Sequence, residues 1–223
     1  MVSSKEWDGL YSQNEQLSIW PWSDLISYTK IFVPNIGPLT KVLELGCGAG
    51  ANIPFFESLN TDYHAIEGSS TIVQRLIKKF AFLEDKIKVG DFTKKIYWDK
   101  QFDIIVDRAS VTHNNTLEIQ NCLSLVHDHL INRGYFIGID WFSTNHSDYK
   151  IGESSVDEYT KTNYKKGQFK NVGKVHFSNK DHLIDLLHKF KIIKMEEKLI
   201  KTEIPSNEHI FSSWNFVAQK IDE

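Results

Sequence analysis

The sequence is poor in cysteine. Of its 223 residues only Cys47 and Cys122 are cysteines, and neither belongs to a CxxC pair. A disulfide framework needs several cysteines, and structural zinc sites commonly use paired ones. We therefore expect neither a disulfide bond nor a metal site. Because free thiols are typical of a reducing compartment, the sequence predicts a cytoplasmic protein.

Long apolar runs and a basic excess are also absent. Residues 1–8 contain no apolar stretch of the kind found in signal peptides, and no run approaches the roughly 18 residues that span a bilayer. Lysines and arginines number 26 against 29 acids, a formal net charge of −3. Nucleic-acid-binding domains usually carry a positive excess that neutralises phosphates. We expect no membrane and no nucleic-acid partner, and the choice between monomer and homodimer stays open.

What the sequence contains, from residue 41 onward, is an alternation of short apolar strands and helical stretches. Strands are predicted at 41–45, 62–67, 87–91, 102–107, 134–140, 191–201 and 210–219. Helices are predicted at 51–59, 115–131 and 180–190, with a further one capped by Ser69 or Ser70. This order predicts an α/β fold: one domain over 1–223 built on a doubly wound, mostly parallel sheet. The short polar link between the last two strands predicts an antiparallel hairpin.

Three glycines follow the first predicted strand, at Gly46, Gly48 and Gly50. Glycines at this point allow a tight turn and let backbone N–H groups approach a ligand. Glu67 ends the second strand, 19 residues after Gly48, where a carboxylate accepts the hydroxyls of a ribose. Asp91 ends the third strand, within reach of the base of the same nucleoside.

The glycines alone do not identify the ligand. Gly46, Gly48 and Ala51 also satisfy the G-x-G-x-x-G/A pattern of dinucleotide folds, which leaves a nicotinamide enzyme open. Glu44 favours a different ligand, because an acid two residues before the first glycine suits a positively charged methionine moiety better than a pyrophosphate. The terminal hairpin and the lack of room for a second catalytic domain favour the same choice.

With these features in place, the chain from about residue 40 onward resembles the class I S-adenosylmethionine-dependent methyltransferases. Residues 42–50, VLELGCGAG, are similar to the first motif of that family. Residues 66–69, IEGS, resemble its ribose-binding strand end, and residues 90–92, GDF, its adenine-binding one. The resemblance implies a Rossmann-like, seven-stranded sheet whose last strand is antiparallel. The residues expected at the S-adenosylmethionine site are Glu44, Gly46, Cys47, Gly48, Gly50, Asn52, Glu67, Gly68, Ser69, Asp91, Phe92 and Asp107.

The segment after the fourth strand favours the small-molecule branch of the family. It lacks the Asn/Asp-Pro-Pro-Tyr/Phe motif of amino-methylating DNA and protein enzymes. Instead, residues 107–113 read DRASVTH, which resembles the thiopurine and tellurite-resistance type enzymes. We therefore expect methyl transfer to an oxygen or nitrogen of a small polar metabolite, sugar-derived ones included.

Residues other than those of the donor site are needed to bind and activate the methyl acceptor. Methyl transfer from a sulfonium is an in-line displacement, in which a base near neutral pKa helps an acceptor that must lose a proton. His113 is the candidate base, since it lies just past the fourth strand. Arg108 is a candidate partner for an anionic acceptor. Trp141 and Phe142, after the fifth strand, are expected to line the acceptor pocket.

Two segments are expected to enclose that pocket. Residues 1–40 are rich in tryptophan and tyrosine and contain a predicted helix near 22–32, so we expect a helical lid; a hydrophobic flap on the sheet is the alternative. Residues 143–178 are polar without clear periodicity, and we expect an insertion near the acceptor. Two other functions remain: a methyltransferase acting on protein or RNA, and a nicotinamide- or nucleotide-binding protein without methyl transfer.

Overall fold

The computed structural model describes residues 5–99 and 101–221 of the chain. The first four residues of the predicted lid and the last two of the predicted domain lie outside this part. Among the described residues, no helix combines the length and the apolar character that crossing a membrane requires.

A seven-stranded sheet forms the centre of the molecule, in the order β3-β2-β1-β4-β5-β10-β9. Neighbouring strands are parallel except at β10, which runs antiparallel to both β5 and β9. The predicted doubly wound sheet with an antiparallel C-terminal strand is thus confirmed. Its strands are β1 (Lys41–Leu45), β2 (Asp62–Glu67), β3 (Ile87–Val89), β4 (Phe102–Arg108), β5 (Leu130–Phe142), β9 (Phe190–Lys201) and β10 (Ile210–Lys220).

Helices cover both faces of this sheet. They are α1 (Lys5–Ser12), α2 (Ser23–Phe32), α3 (Ile53–Ser58), α4 (Ser70–Lys79), α5 (Thr116–His129) and α6 (Lys180–Leu186). Because both faces are covered, successive strand residues pack into opposite cores. On β1, Leu43 lies in the core on the side of α5 and α6, whereas Val42 lies in the core on the side of α2, α3 and α4.

Side-chain caps fix two helix starts that frame the site. Ser69 accepts a hydrogen bond from the backbone N–H of Ile72 and begins α4, as predicted for one of the two serines. Asn115 and Glu118 form a reciprocal capping box at the start of α5. Both helices therefore begin at the edge where the parallel strands end.

Residues 143–178 form a small structure of their own beside the main sheet, which we call the insertion. It contains a 3₁₀ turn, Ser147–Lys150, and an antiparallel sheet of β6 (Glu153–Ser154), β7 (Thr160–Thr162) and β8 (Val175–His176). Its two ends meet, because Ser143 and Ser178 form a parallel bridge and the N–H of Ser178 donates to the carbonyl of Phe142.

Candidate active site

A cavity of about 1230 Å³ opens where the parallel strands end. Its floor consists of the glycine turn after β1 and the ends of β2, β3 and β4, while α1 and the insertion border it from above. The predicted site residues that border the cavity are Glu44, Gly46, Cys47, Gly48, Glu67, Gly68, Asp91, Phe92, Arg108 and His113.

The turn after β1 requires glycine. Gly46 has a φ of +66°, and a Cβ atom there would lie 2.4 Å from both Cβ and Oγ of Ser110. Gly48 has a φ of +51°, and its N–H donates to Glu67 Oε2 at 2.9 Å. Side chains are strained in this left-handed region, so the backbone rather than side chains faces the cavity at this point.

Glu67 is a buried carboxylate at the end of β2. It accepts hydrogen bonds from the N–H groups of Gly48 and Ser69, each at 2.9 Å. Burial raises the pKa of Glu67 above its usual value, although these amide bonds act in the opposite direction. The N–H of Gly68 is a third backbone donor to this carboxylate, which has about four lone-pair sites, so acceptor capacity remains for a hydroxyl of a ligand.

Glu44 lies beneath the glycine turn and is also buried. Its carboxylate accepts from Asn52 Nδ2 at 2.8 Å and from the Tyr63 hydroxyl at 2.5 Å. Burial raises the pKa of Glu44 to about 7. Asn52 does not border the cavity; its amide instead holds Glu44 and accepts the N–H of Trp22 at 3.2 Å, which joins the start of α2 to the floor.

Asp91 follows β3 and faces the cavity beside Phe92. It accepts from the N–H and hydroxyl of Thr93 and from Lys94 Nζ at 2.7 Å. Partial burial tends to raise the pKa of Asp91, but the hydrogen bonds from Lys94 and Thr93 outweigh it and lower the pKa. Asp91 is therefore an ionised acceptor at neutral pH.

Asp107 requires a correction, because it does not lie beside the cavity. Its side chain is fully buried and accepts from the N–H groups of Ser110 and Val111 and from Trp141 Nε1 at 2.7 Å. Burial raises the pKa of Asp107 to about 7. The carboxyl thus shapes the turn that follows β4, and contact with a ligand is left to neighbouring residues.

Gly50 and Ser69 also lie behind the cavity wall. A Cβ at Gly50, where φ is +80°, would lie 2.6 Å from Leu76, so this glycine serves the packing of α4 against the turn. Ser69 is fully buried and caps α4. These two residues shape the site without facing it.

Arg108, at the end of β4, is held by partners from the chain itself. Its Nε and Nη2 atoms donate to Asp140 Oδ2 at 3.2 and 2.9 Å, and its guanidinium lies 3.6 Å from the centre of the Trp22 ring. Arg108 was predicted to pair with an anionic acceptor. In the structure, the chain's own Asp140 is a carboxylate partner of its guanidinium group.

His113 borders the cavity from the turn between β4 and α5. Its Nδ1 lies 3.0 Å from the carbonyl oxygen of Lys174, which accepts only if Nδ1 carries the proton. Nε2 is then the unprotonated nitrogen. Burial lowers the pKa of His113 to about 4, so the ring is neutral at neutral pH. The ring is therefore free to accept a proton, but it is a weaker base than the near-neutral one that the sequence predicted.

The two aromatic residues expected to line the acceptor pocket behave differently. The predicted strand 134–140 extends to Leu130–Phe142, so both belong to β5 itself. Trp141 is 1% exposed and packs into the core, which corrects its prediction. Phe142 does border the cavity, where it contacts Phe169 of the insertion.

Helix α1 supplies residues that the sequence did not single out. Trp7 packs edge-on against His113 with ring centres 4.8 Å apart, and the Tyr11 hydroxyl lies beside Gly48. Asp8 accepts from the Ser69 hydroxyl and from the N–H of Thr71 at 3.1 Å, which fastens α1 to the start of α4. The aromatic richness of the N-terminal segment was the only signal of this role.

One group of side chains has the composition of a metal site. His146, Asp148 and His209 place one ligand atom each within 4.8 Å of one another, beside the insertion. However, His146 Nδ1 accepts the N–H of Asp148 at 3.0 Å, which puts the ring proton on Nε2. Neither nitrogen then offers a free lone pair, so metal binding requires this hydrogen bond to break.

Comparisons with known proteins agree with this geometry. Residues 42–134 match a family model described as a methyltransferase domain. A comparison with curated protein sequences gives no match. Among solved structures, the chain is similar to a SAM-dependent methyltransferase from Methanosarcina mazei, with 19% identity and a TM-score of 0.69; the match covers 86% of this chain and 98% of that one.

Two further structures are similar. TehB from Haemophilus influenzae has 17% identity and a TM-score of 0.62, over 96% of this chain and 67% of that chain. The 1,6-didemethyltoxoflavin-N1-methyltransferase of Burkholderia thailandensis, whose structure contains 1,6-didemethyltoxoflavin and S-adenosylhomocysteine, has 14% identity and a TM-score of 0.62. That match covers 96% of this chain and 83% of the other. At these identities the likeness concerns the fold.

The sheet order defines a Rossmann-like fold, and the cavity lies at the carboxyl edge where such folds bind their ligands. The family match at residues 42–134 narrows this class. Residues 42–134 thus carry a methyltransferase domain, of the kind whose methyl donor is S-adenosylmethionine.

The residues present fit this donor. The glycine turn exposes backbone at the point where a Cβ would intrude, and three carboxylates with different environments lie along the floor. Glu67 and Asp91 have the carboxylate oxygens that accept from hydroxyl and amino groups, and Glu44 is a buried carboxyl with a pKa of about 7 beneath the turn.

Proposed function

We propose that the chain methylates an oxygen or nitrogen of a small polar molecule bound between α1 and the insertion. The observation that carries this proposal is the roof of the cavity. Trp7 and Tyr11 of α1 and Phe169 of the insertion border the same cavity as the glycine turn, and the Tyr11 hydroxyl lies beside Gly48. A site covered in this way is suited to a small acceptor, whereas a protein or RNA chain needs an open groove.

We propose two roles for nine of the twelve predicted donor residues; Cys47, Gly68 and Phe92 also border the cavity. Glu67 and Asp91 contact the ribose and the adenine, and Glu44 neutralises the methionine ammonium group, while Gly46 and Gly48 leave room for the ligand. Gly50, Asn52, Ser69 and Asp107 hold these groups from behind. Bound S-adenosylmethionine supplies an activated methyl group on a sulfonium.

The chain's own part in the reaction is to orient the acceptor, to exclude water and to take up a proton. His113 Nε2 is the proposed proton acceptor, because Nδ1 is engaged with the carbonyl of Lys174. Trp7 holds the imidazole ring from the other side. Alignment of the nucleophile with the methyl carbon is the larger contribution, since in-line displacement depends on orientation.

Titration calorimetry tests the donor half of this proposal. We expect micromolar binding of S-adenosylhomocysteine and no binding of NAD. Glu67→Gln is expected to weaken that binding at least tenfold, about 1.4 kcal/mol, because the neutral amide is a poorer acceptor for a hydroxyl. Glu57→Gln, an exposed change on α3, is the control. Binding of NAD in preference to S-adenosylhomocysteine would contradict the proposal.

The acceptor half is tested by release of S-adenosylhomocysteine from S-adenosylmethionine in the presence of small hydroxy and amino compounds, and separately of protein and RNA. The toxoflavin enzyme supports the small-molecule choice, since its structure holds such a compound together with S-adenosylhomocysteine. Turnover with macromolecules alone would favour the second candidate function.

A further inference from the structure

Two lysines of the insertion border the cavity without a carboxylate partner. Lys165 and Lys170 are exposed, and neither forms an ion pair within the described part of the chain. Other cations around the cavity are already compensated. Lys174 lies 2.6 Å from Glu118, Arg108 pairs with Asp140, and Lys94 pairs with Asp91.

The charges of the cavity are therefore distributed unevenly. The uncompensated carboxylates of the floor, Glu44 and Glu67, lie at the glycine turn, where the donor is proposed to bind. Lys165 and Lys170 border the same cavity from the insertion, where one further carboxylate, Glu6 of α1, lies near Gly173. Two free ammonium groups against one carboxylate leave this part of the cavity with a positive charge.

Gln168 adds a directed hydrogen-bond donor between these lysines. The end of its amide lies 3.1 Å from His146 Nε2. Since the N–H of Asp148 donates to His146 Nδ1, the proton of the neutral ring lies on Nε2. Burial lowers the pKa of His146 to about 4, so the ring is neutral at neutral pH.

An Nε2–H group needs an acceptor, so the amide oxygen of Gln168 must face His146. The oxygen and nitrogen of an amide exchange places by half a turn of the group. The NH₂ group then lies on the side away from His146, and the exposed side chain borders the cavity. Gln168 is thereby fixed as a donor toward the cavity and is unable to accept a hydrogen bond there.

We propose that the methyl acceptor carries an oxyanion, a carboxylate or a phosphate, bound by Lys165, Lys170 and the NH₂ group of Gln168. This inference rests on the proposed function of the same cavity. Two point charges and one oriented donor match the oxygens of such a group. All three of these side chains belong to the insertion.

The test uses the full chain, labelled with ¹⁵N, and two probes: inorganic phosphate and acetate. Each is titrated at constant ionic strength, with and without S-adenosylhomocysteine, while the side-chain NH₂ signal of Gln168 is followed by NMR. We expect a saturable shift with at least one probe. The probe that binds more tightly distinguishes a phosphate from a carboxylate acceptor.

Matched variants separate a site from general attraction. The double variant Lys165→Gln/Lys170→Gln is expected to weaken probe binding at least tenfold. Lys150→Gln/Lys166→Gln removes the same charge from exposed lysines of the insertion that do not border the cavity, and should bind like the wild type. An unsaturable shift in the wild type, or equal weakening in both double variants, would overturn the proposal.

The ring of His146 gives a second readout. Its ¹⁵N shifts should report a protonated Nε2 and an unprotonated Nδ1, and the opposite tautomer would remove Gln168 from the proposed site. Failure of the methyltransferase proposal itself is distinguishable, because it appears as absent binding of S-adenosylhomocysteine in calorimetry. The oxyanion titration without that ligand is judged on its own.

Discussion

At the scale of single residues, Gly46 is the position in the turn that tolerates substitution least. An alanine there combines a left-handed backbone with a Cβ placed 2.4 Å from Ser110. We expect Gly46→Ala to lower the free energy of unfolding by about 2 to 4 kcal/mol, measured by chemical denaturation. Gly37→Ala is the control, since nothing lies within 4 Å of its added Cβ. Equal losses in the two variants would contradict this account of the turn.

His113 offers a prediction that separates catalysis from binding. His113→Ala should lower turnover by roughly a hundredfold or more, because it removes the proposed proton acceptor. The affinity for S-adenosylhomocysteine should change little, since the ring lies against Lys174 and Trp7 and makes no contact with the glycine turn. His188→Ala, an exposed change, serves as the control. Unaltered turnover would exclude His113 as the base.

The sequence predicted which residue types gather at the floor of the cavity, but it did not predict which of their side chains are buried behind it. Gly46, Glu67 and Asp91 border the cavity because strand ends of a parallel sheet converge there. Asp107 also lies near the end of a strand, yet its carboxyl turns inward to Trp141. The direction of a side chain after a strand depends on tertiary packing, which spacing does not encode. The side chain of Ser69 is buried behind the cavity wall for the same reason.

At the scale of elements, α1 joins the two halves of the cavity. Asp8 fastens it to Ser69 and Thr71 at the start of α4. Asp8→Ala should speed the dissociation of S-adenosylhomocysteine by roughly threefold to tenfold, because loss of a capping interaction costs about 1 kcal/mol. Stopped-flow tryptophan fluorescence measures this rate. Glu15→Ala removes an exposed acid of the same segment and should leave it unchanged.

Regular elements were more predictable than irregular ones. The strands predicted at 41–45 and 62–67 match β1 and β2, because apolar runs between turn residues are a strong local signal. The insertion gave no such signal, since its strands have two or three residues and alternation needs more. Helix α1 was also missed as an element, because its function depends on contacts with α4.

At the scale of the whole molecule, titratable groups divide by location. His113, His146 and His176 lie in or against the insertion, and burial lowers their pKa values to about 4, 4 and 3. Glu44 and Asp107 lie under the main sheet edge, where burial raises their pKa values to about 7. Lowering the pH is therefore expected to change the stability of the two regions in opposite directions.

The sign of each stability change depends on whether the folded or the unfolded state binds more protons. An unfolded histidine, with a pKa near 6.5, binds protons between pH 6.5 and 4 that the folded one does not, so acid destabilises the insertion. The buried carboxyls keep protons up to about pH 7 that the unfolded chain loses near pH 4, so acid stabilises the sheet.

Hydrogen exchange at pH 5 and pH 7, corrected for intrinsic rates, measures both effects. We expect protection in the insertion to fall by about 1 kcal/mol or more at pH 5, while β1 and β4 lose none. A uniform loss over both regions would contradict this division.

The meeting of Ser143 and Ser178 has a consequence for how such enzymes diversify. A segment whose two ends are neighbours is an exchangeable cassette: its length and sequence vary while the strands on either side keep their register. The residues proposed to bind the methyl donor lie at the sheet edge, whereas Lys165, Gln168 and Lys170 lie in the cassette. If the insertion is transplanted into a related scaffold, we expect the acceptor preference of that scaffold to change and its affinity for the donor to stay the same.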